Sequence, residues 1–354
     1  MTERLDDLAV LTSNDPSGML DAVLGLAGQC RDGYREGLGA ADLPSGDGVT
    51  AVAICGMGGS GVSGDVIRAL YRDRLTLPVT VAKGPVLPAF CGKDTLVVVS
   101  SYSGSTAETL ACFDEAGAWG CRLMAVTSGG ELGRRAAEQA VAVVPVPTGF
   151  QPRAAVGHLT FGALGALEAM GVIPTLGDEV SHVAAVLERL RNRIGPEVPV
   201  AENPAKRLAV RIGDRFPVIW GADGIGGVAA ARWRTELNEN AKVPAFSAAL
   251  PELDHNEVVG WSAGTGDRFV LLTLRHPGEH PDVAARFPVS VEVALSAGLV
   301  HHEVRTKGDT PLSSLMSLVM LGGAVSVYLA ALRGVDPTPI DAITRIKKSL
   351  EGVT

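Results

Sequence analysis

Twice along the chain an apolar, strand-like run stops at a cluster of glycines and passes directly into a helical pattern. The first instance is Val49–Cys55 followed by Gly56-Met57-Gly58-Gly59-Ser60-Gly61; the second is Phe216–Trp220 followed by GADGIGG and a helical stretch over Val228–Ala241. Short apolar runs without polar alternation suit strands buried on both faces, and a turn into a helix is the connection that parallel strands require. More such runs follow the first loop, at Val79–Ala82, Thr95–Ser100, Leu123–Thr127 and Val141–Val146, with helical stretches such as Ala107–Ala118 and Leu132–Ala140 between them. Arg268–Leu274 and Leu299–Arg305 follow the second. The predicted fold class is therefore α/β: a degenerate duplication with two parallel sheets, each carrying helices on both faces.

The 354 residues allow two such units with accessories. Residues 1–40 read as an N-terminal helical arm, with Asp15 capping a helix from Pro16 to about Gly39. The first unit spans 41–172, a helical linker 173–204 and the second unit 205–335, leaving 336–354 as a C-terminal tail helix. Apolar residues are 46% and charged ones 20%, which excludes a disordered chain. With 31 basic against 39 acidic side chains the net charge is -8, and no basic cluster interleaved with aromatics opposes it, so no nucleic-acid partner is expected. The five cysteines lack C-x-x-C spacing and read as buried free thiols. The acidic N-terminus does not read as a signal peptide, which points to a cytoplasmic protein. Leu315–Leu332 is uncharged and long enough to cross a bilayer. Its serines and the Gly322-Gly323 pair favour a helix buried in protein, so no membrane partner is expected.

Gly56, Gly58 and Gly61 satisfy G-x-G-x-x-G, but the second strand ends at Lys83 where a dinucleotide site needs an acid for the ribose. A compact phosphate suits the loop better, held by N–H groups at a helix N-terminus and by Ser60 and Ser63. The strand DTLVVVS opens into a second cradle, Ser101-Tyr102-Ser103-Gly104-Ser105-Thr106, with more hydroxyls than helix capping requires. Loops at adjacent strand ends of an open sheet share one crevice.

Together, VAICGMGGSGVSGD and SYSGSTAETL resemble the sugar isomerase (SIS) domains, and ELNENAKVPAF (Glu236–Phe246) and PELDHNEVVGW (Pro251–Trp261) resemble signature segments of the bifunctional phosphoglucose/phosphomannose isomerases. The resemblance implies two flavodoxin-like SIS subdomains and an aldose-ketose isomerase that moves a proton between C1 and C2 through a cis-enediol. It implies Glu239 as the base, His255 as the ring-opening group, Arg153 of QPRAA as the enediolate's positive charge, and Lys347 of ITRIKKSL in the tail helix, with Lys348 as the neighbouring alternative. Phosphate contacts map to Gly58, Gly59 and Ser60 and to Ser101, Ser103 and Thr106. A homodimer is implied, with His255 reaching the other subunit's site, and proton transfer of this kind calls for neither metal nor cofactor. Two positions depart from the family: Ser105 in place of a usual Asn, and Asp254 beside the histidine, where a carboxylate favours the protonated ring. A phosphosugar sensor without catalysis, and an isomerase of another sugar phosphate, are the alternatives.

Overall fold

The computed structural model describes residues 3–350 apart from Thr265. The N-terminal arm is segmented rather than one helix. Asp15 does act as a cap, accepting the N–H groups of Met19 and Leu20 at 2.8 Å each. The helix it starts is Met19–Leu24, because Gly18 is left-handed and Gly25 interrupts before Leu26–Leu38.

The first sheet contains β1 (Ala51–Cys55), β2 (Val79–Ala82), β3 (Thr95–Ser101), β4 (Arg122–Thr127) and β5 (Ala142–Pro145), all parallel, in the order β2-β1-β3-β4-β5. The strand order reverses between β1 and β3, so their carboxyl ends form the crevice where open α/β sheets bind ligands. The second sheet contains β6 (Phe216–Ala222), β7 (Phe246–Leu250), β8 (Phe269–Arg275) and β9 (Val300–Arg305), in the order β7-β6-β8-β9 and again parallel. Two parallel sheets flanked by helices are the architecture expected from the strand–loop–helix repeats. Strand β7 is the one the sequence reading lacks: FSAAL is short and alanine-rich, and it lies at an edge with Phe246 facing solvent.

Side-chain alternation sends Val52, Ile54, Leu96, Val98 and Val126 to one face of the first sheet and Ala53, Val97, Val99 and Ala125 to the other. In the second sheet Ile219, Val270 and Leu272 join the same core as the first group, so the inner faces of both sheets share one continuous interior. The helices Val156–Ala169, Ile225–Asn240 and Pro311–Arg333 fill it. Pro311–Arg333, the candidate membrane span, is 94% buried within the protein over its most apolar window. Its serines are satisfied there: Ser313 completes a capping box with Thr310, Ser317 bonds Thr306 at 2.6 Å, and Ser326 accepts from Asn240 at 2.9 Å. All five cysteines are free thiols.

Candidate active site

At the end of β1 the chain turns through Gly56-Met57-Gly58, with Gly58 left-handed, into the helix Gly58–Tyr71. Met57 offers no side-chain cap; the Ser60 and Gly61 N–H groups donate to its carbonyl, and those of Gly58 and Gly59 are left without a side-chain partner. A Cβ on Gly59 would lie 2.7 Å from Arg153 Cα, so glycine lets the first loop rest on the backbone that carries the arginine. Ser60 is buried and accepts the Tyr102 N–H at 3.0 Å, which locks the first loop to the second.

The second loop leaves β3 at Ser101, whose hydroxyl lies 3.4 Å from that of Thr106. Thr106 occupies the N-cap position of the helix Ala107–Ala118, yet its side chain makes no capping bond. The hydroxyls of Ser103 and Thr106 and the helix N–H groups thus edge the same crevice as the first loop. Gly104 is left-handed and packs on Gly129, where a Cβ would meet the carbonyl oxygen at 1.9 Å.

Arg153 sits in the turn Pro152–Ala155 and is only 2% exposed. Its Nε donates to Asn240 Oδ1 at 2.7 Å and its Nη2 to the carbonyls of Pro337 and Thr338 at 2.8 and 2.9 Å. Nη1 is left to face Glu239 at 3.4 Å. Glu239 is the penultimate residue of the helix Ile225–Asn240. Burial pushes its carboxyl above the usual range, with Glu236 adding to the rise while Arg153, Arg232 and Lys242 oppose it. Desolvation pulls the Arg153 pKa down, against the attraction of Glu239 and Glu236. A base of raised basicity facing a fixed guanidinium, beside two anion-binding loops, can take a proton from carbon and stabilise the enediolate that results.

Behind this pair lies a network that the sequence reading missed. Arg232 pairs with Glu236, both 3% exposed, and reaches the Arg153 carbonyl. Asn240 donates to Glu236 at 2.6 Å and to Ser326 at 2.9 Å while accepting from Arg153. Arg232, Glu236 and Asn240 recur at i, i+4, i+8, and polar groups on one stripe of a helix otherwise carrying Trp233 and Leu237 were the available signal.

The remaining candidates, His255, Lys347 and Lys348, lie apart from this cluster within one chain. The Ile225–Asn240 helix returns antiparallel to the strands, so Glu239 ends at the amino edge of the second sheet, whereas His255 follows β7 at the carboxyl edge. A five-residue strand alone separates these edges by roughly 17 Å. His255 is exposed there, and the adjacent Asp254 carboxylate is occupied by Ser290 at 2.6 Å and Arg286 at 3.3 Å. Lys347 and Lys348 stand exposed on the helix Asp341–Leu350, and their side chains make no hydrogen bond or ion pair among the described residues. The structure thus joins Gly59, Ser60, Arg153 and Glu239 through direct contacts, carries Gly58, Ser101, Ser103 and Thr106 on the same two interlocked loops, and leaves His255 and both lysines outside.

Residues 201–350 match the family described as the bacterial phospho-glucose isomerase C-terminal SIS domain. Over 334 residues, 94% of this chain and 98% of the relative, the sequence is 34% identical to a bifunctional phosphoglucose/phosphomannose isomerase of Caldicellulosiruptor bescii. A protein of the same name from Aquifex aeolicus is 35% identical over 302 residues, 85% of this chain and 90% of that one. A solved glucose-6-phosphate isomerase-like protein from Thermus thermophilus shares the fold, with a TM-score of 0.63 at 22% identity over 97% of this chain and 98% of that one.

Proposed function

The chain belongs to the bifunctional phosphoglucose/phosphomannose isomerase family, and from that premise we propose that it interconverts glucose 6-phosphate and mannose 6-phosphate with fructose 6-phosphate in the crevice beside Glu239. The observation that carries this reading is the Arg153–Glu239 pair at 3.4 Å, joined to both phosphate loops through the Gly59 contact and the Ser60–Tyr102 bond. The loops hold the phosphate, Glu239 moves a proton between C1 and C2 on one face of the enediol, and Arg153 Nη1 stabilises the charge on its oxygen. Besides the contact with Glu239, the arginine donates to Asn240, Pro337 and Thr338, so it is already oriented at the moment of reaction. Either C2 epimer is formed when the intermediate turns about C2–C3 and presents its other face to the same base.

Ring opening falls to a second copy of the chain in this reading, with His255 of the partner subunit acting on the ring oxygen and O1 and Lys347 assisting from the tail helix. The separation of His255 from Glu239 within one chain supports a shared site. So does the apolar surface beside the segment that follows the histidine: Phe246 is 52% and Val259 66% exposed, and a hollow there is lined by Val218, Phe246, Trp261 and Phe269. Substrates of this class are intracellular metabolites, which supports a cytoplasmic enzyme.

Coupled assays with glucose 6-phosphate and mannose 6-phosphate, wild type beside Glu239→Gln, test the reading. Turnover is expected of the wild type and a loss of about 10²–10⁴-fold in the variant with sugar-phosphate binding retained. Binding without wild-type turnover of either sugar would leave a phosphosugar sensor, and an unaffected variant would remove Glu239 from the chemistry.

A further inference from the structure

Lys242 stands three residues beyond the base, just past the end of its helix, with φ at 55°. This is the left-handed position that glycine or asparagine ordinarily fills after a helix, and a lysine there is strained. Strain of this kind persists where surrounding contacts hold it in place, and it clusters at active sites. The ammonium donates to the Glu239 backbone carbonyl and, at 3.1 Å, to the Pro337 carbonyl. Pro337 is the same acceptor that Arg153 Nη2 holds at 2.8 Å. One carbonyl is thus gripped by the enediolate-binding arginine on one side and by Lys242 on the other. The segment so anchored leads straight into the tail helix Asp341–Leu350, which carries Lys347.

We propose that Lys242 is a positioning residue of the isomerase site: its ammonium ties the helix end that carries Glu239 to Pro337, and so seats the segment that leads to the tail helix against Arg153. The inference rests on the functional reading above and deepens it. Charged groups facing the pair come from several elements. Arg153 comes from the Pro152–Ala155 turn, Arg232 and Glu236 from the base's own helix, and Asp336 and Asp341 from the C-terminal segment. Burial and the nearby Arg153 disfavour the charged lysine, while Asp336, Glu239 and Asp341 favour it. Removing this cation leaves the half-buried carboxylate with one fewer compensating charge, so a base that must be ionised to act needs a higher pH to do so.

The backbone conformation supplies an unusually clean variant. Lys242→Gly relieves the left-handed strain and deletes only the side chain, whereas Lys242→Arg restores a cation. Steady-state kinetics from about pH 5 to 9 should show the acid limb of kcat/KM moving up by about half a unit or more in Lys242→Gly. In the same variant kcat should fall roughly tenfold with little change in KM, because the loss is in orientation rather than in phosphate binding. Lys242→Arg should recover most of both. A carbon-13 titration of the Glu239 carboxyl should show the same upward shift without turnover. A Lys242→Gly enzyme with the wild-type profile and kcat, or an arginine variant no better than glycine, would overturn the role of Lys242 alone. Absence of turnover by the wild type would instead overturn the isomerase reading, and an unshifted carboxyl titration would then overturn the electrostatic part independently.

Discussion

A carboxylate buried next to a second carboxylate is stable only because cations surround it, and the balance around Glu239 falls short of neutralising the desolvation penalty. Because its folded pKa lies above the ordinary value, the stability tied to its protonation is fully present below the unfolded pKa and is lost as pH rises through the raised one. Gln in its place carries no charge at any pH. Glu239→Gln is therefore expected to gain thermal stability relative to wild type as the pH is taken from about 4 to 7, by on the order of 1–2 °C. Scanning calorimetry at both pH values reads this directly. A gap that narrows with rising pH would mean that Arg153 stabilises the anion more than burial opposes it. Glu239 was legible in the sequence through the motif around it. Its supports were less so, because Arg232, Glu236 and Asn240 resemble any charged helix surface until the packing shows that their face of the helix is buried and that Arg234 and Asn238 hold the exposed one.

Among the elements, strands were easy to find where both faces are buried and hard where one is open. β1 and β3 are fully buried along their length and stand out as apolar runs, whereas β7 is half-exposed and its alanines give no periodicity. The Pro311–Arg333 helix shows why glycine content mattered to the packing of the shared core. A Cβ on Gly322 would lie 2.4 Å from Trp233 Nε1, and that indole is already fixed by its bond to the Leu318 carbonyl at 2.8 Å. Gly322→Ala is expected to destabilise by about 1–3 kcal/mol through overpacking. At Gly28, inside Leu26–Leu38, an added Cβ would meet nothing within 4 Å, so Gly28→Ala is expected to stabilise by about 0.5–1 kcal/mol. Urea unfolding of the two variants side by side separates a glycine required by contact from one that only raises the entropy of the unfolded chain. Equal effects at the two positions would contradict the packing argument.

At the scale of the whole molecule, duplication was visible as a repeated strand–loop–helix order, but the way the units meet was not. The carboxyl edge of the first sheet brings the two Gly/Ser-rich loops, and the amino edge of the second brings Glu239, so the proposed site draws on opposite ends of similar units. That geometry leaves the second unit's carboxyl edge, with His255, facing away from the site of its own chain. The shared-site proposal then makes a prediction that no single mutant can. Glu239→Gln and His255→Ala chains should each be nearly inactive as pure dimers. In a heterodimer, the chain with His255→Ala still carries Glu239 and receives His255 of the partner subunit, so one site of the two is intact. Random exchange makes half of the dimers mixed, and the mixture should recover about a quarter of wild-type activity. Recovery should rise with the time allowed for subunit exchange and be blocked when the pure dimers are crosslinked before mixing. If His255 served its own chain, each heterodimer would hold one site without the base and one without the histidine, and mixing would recover nothing.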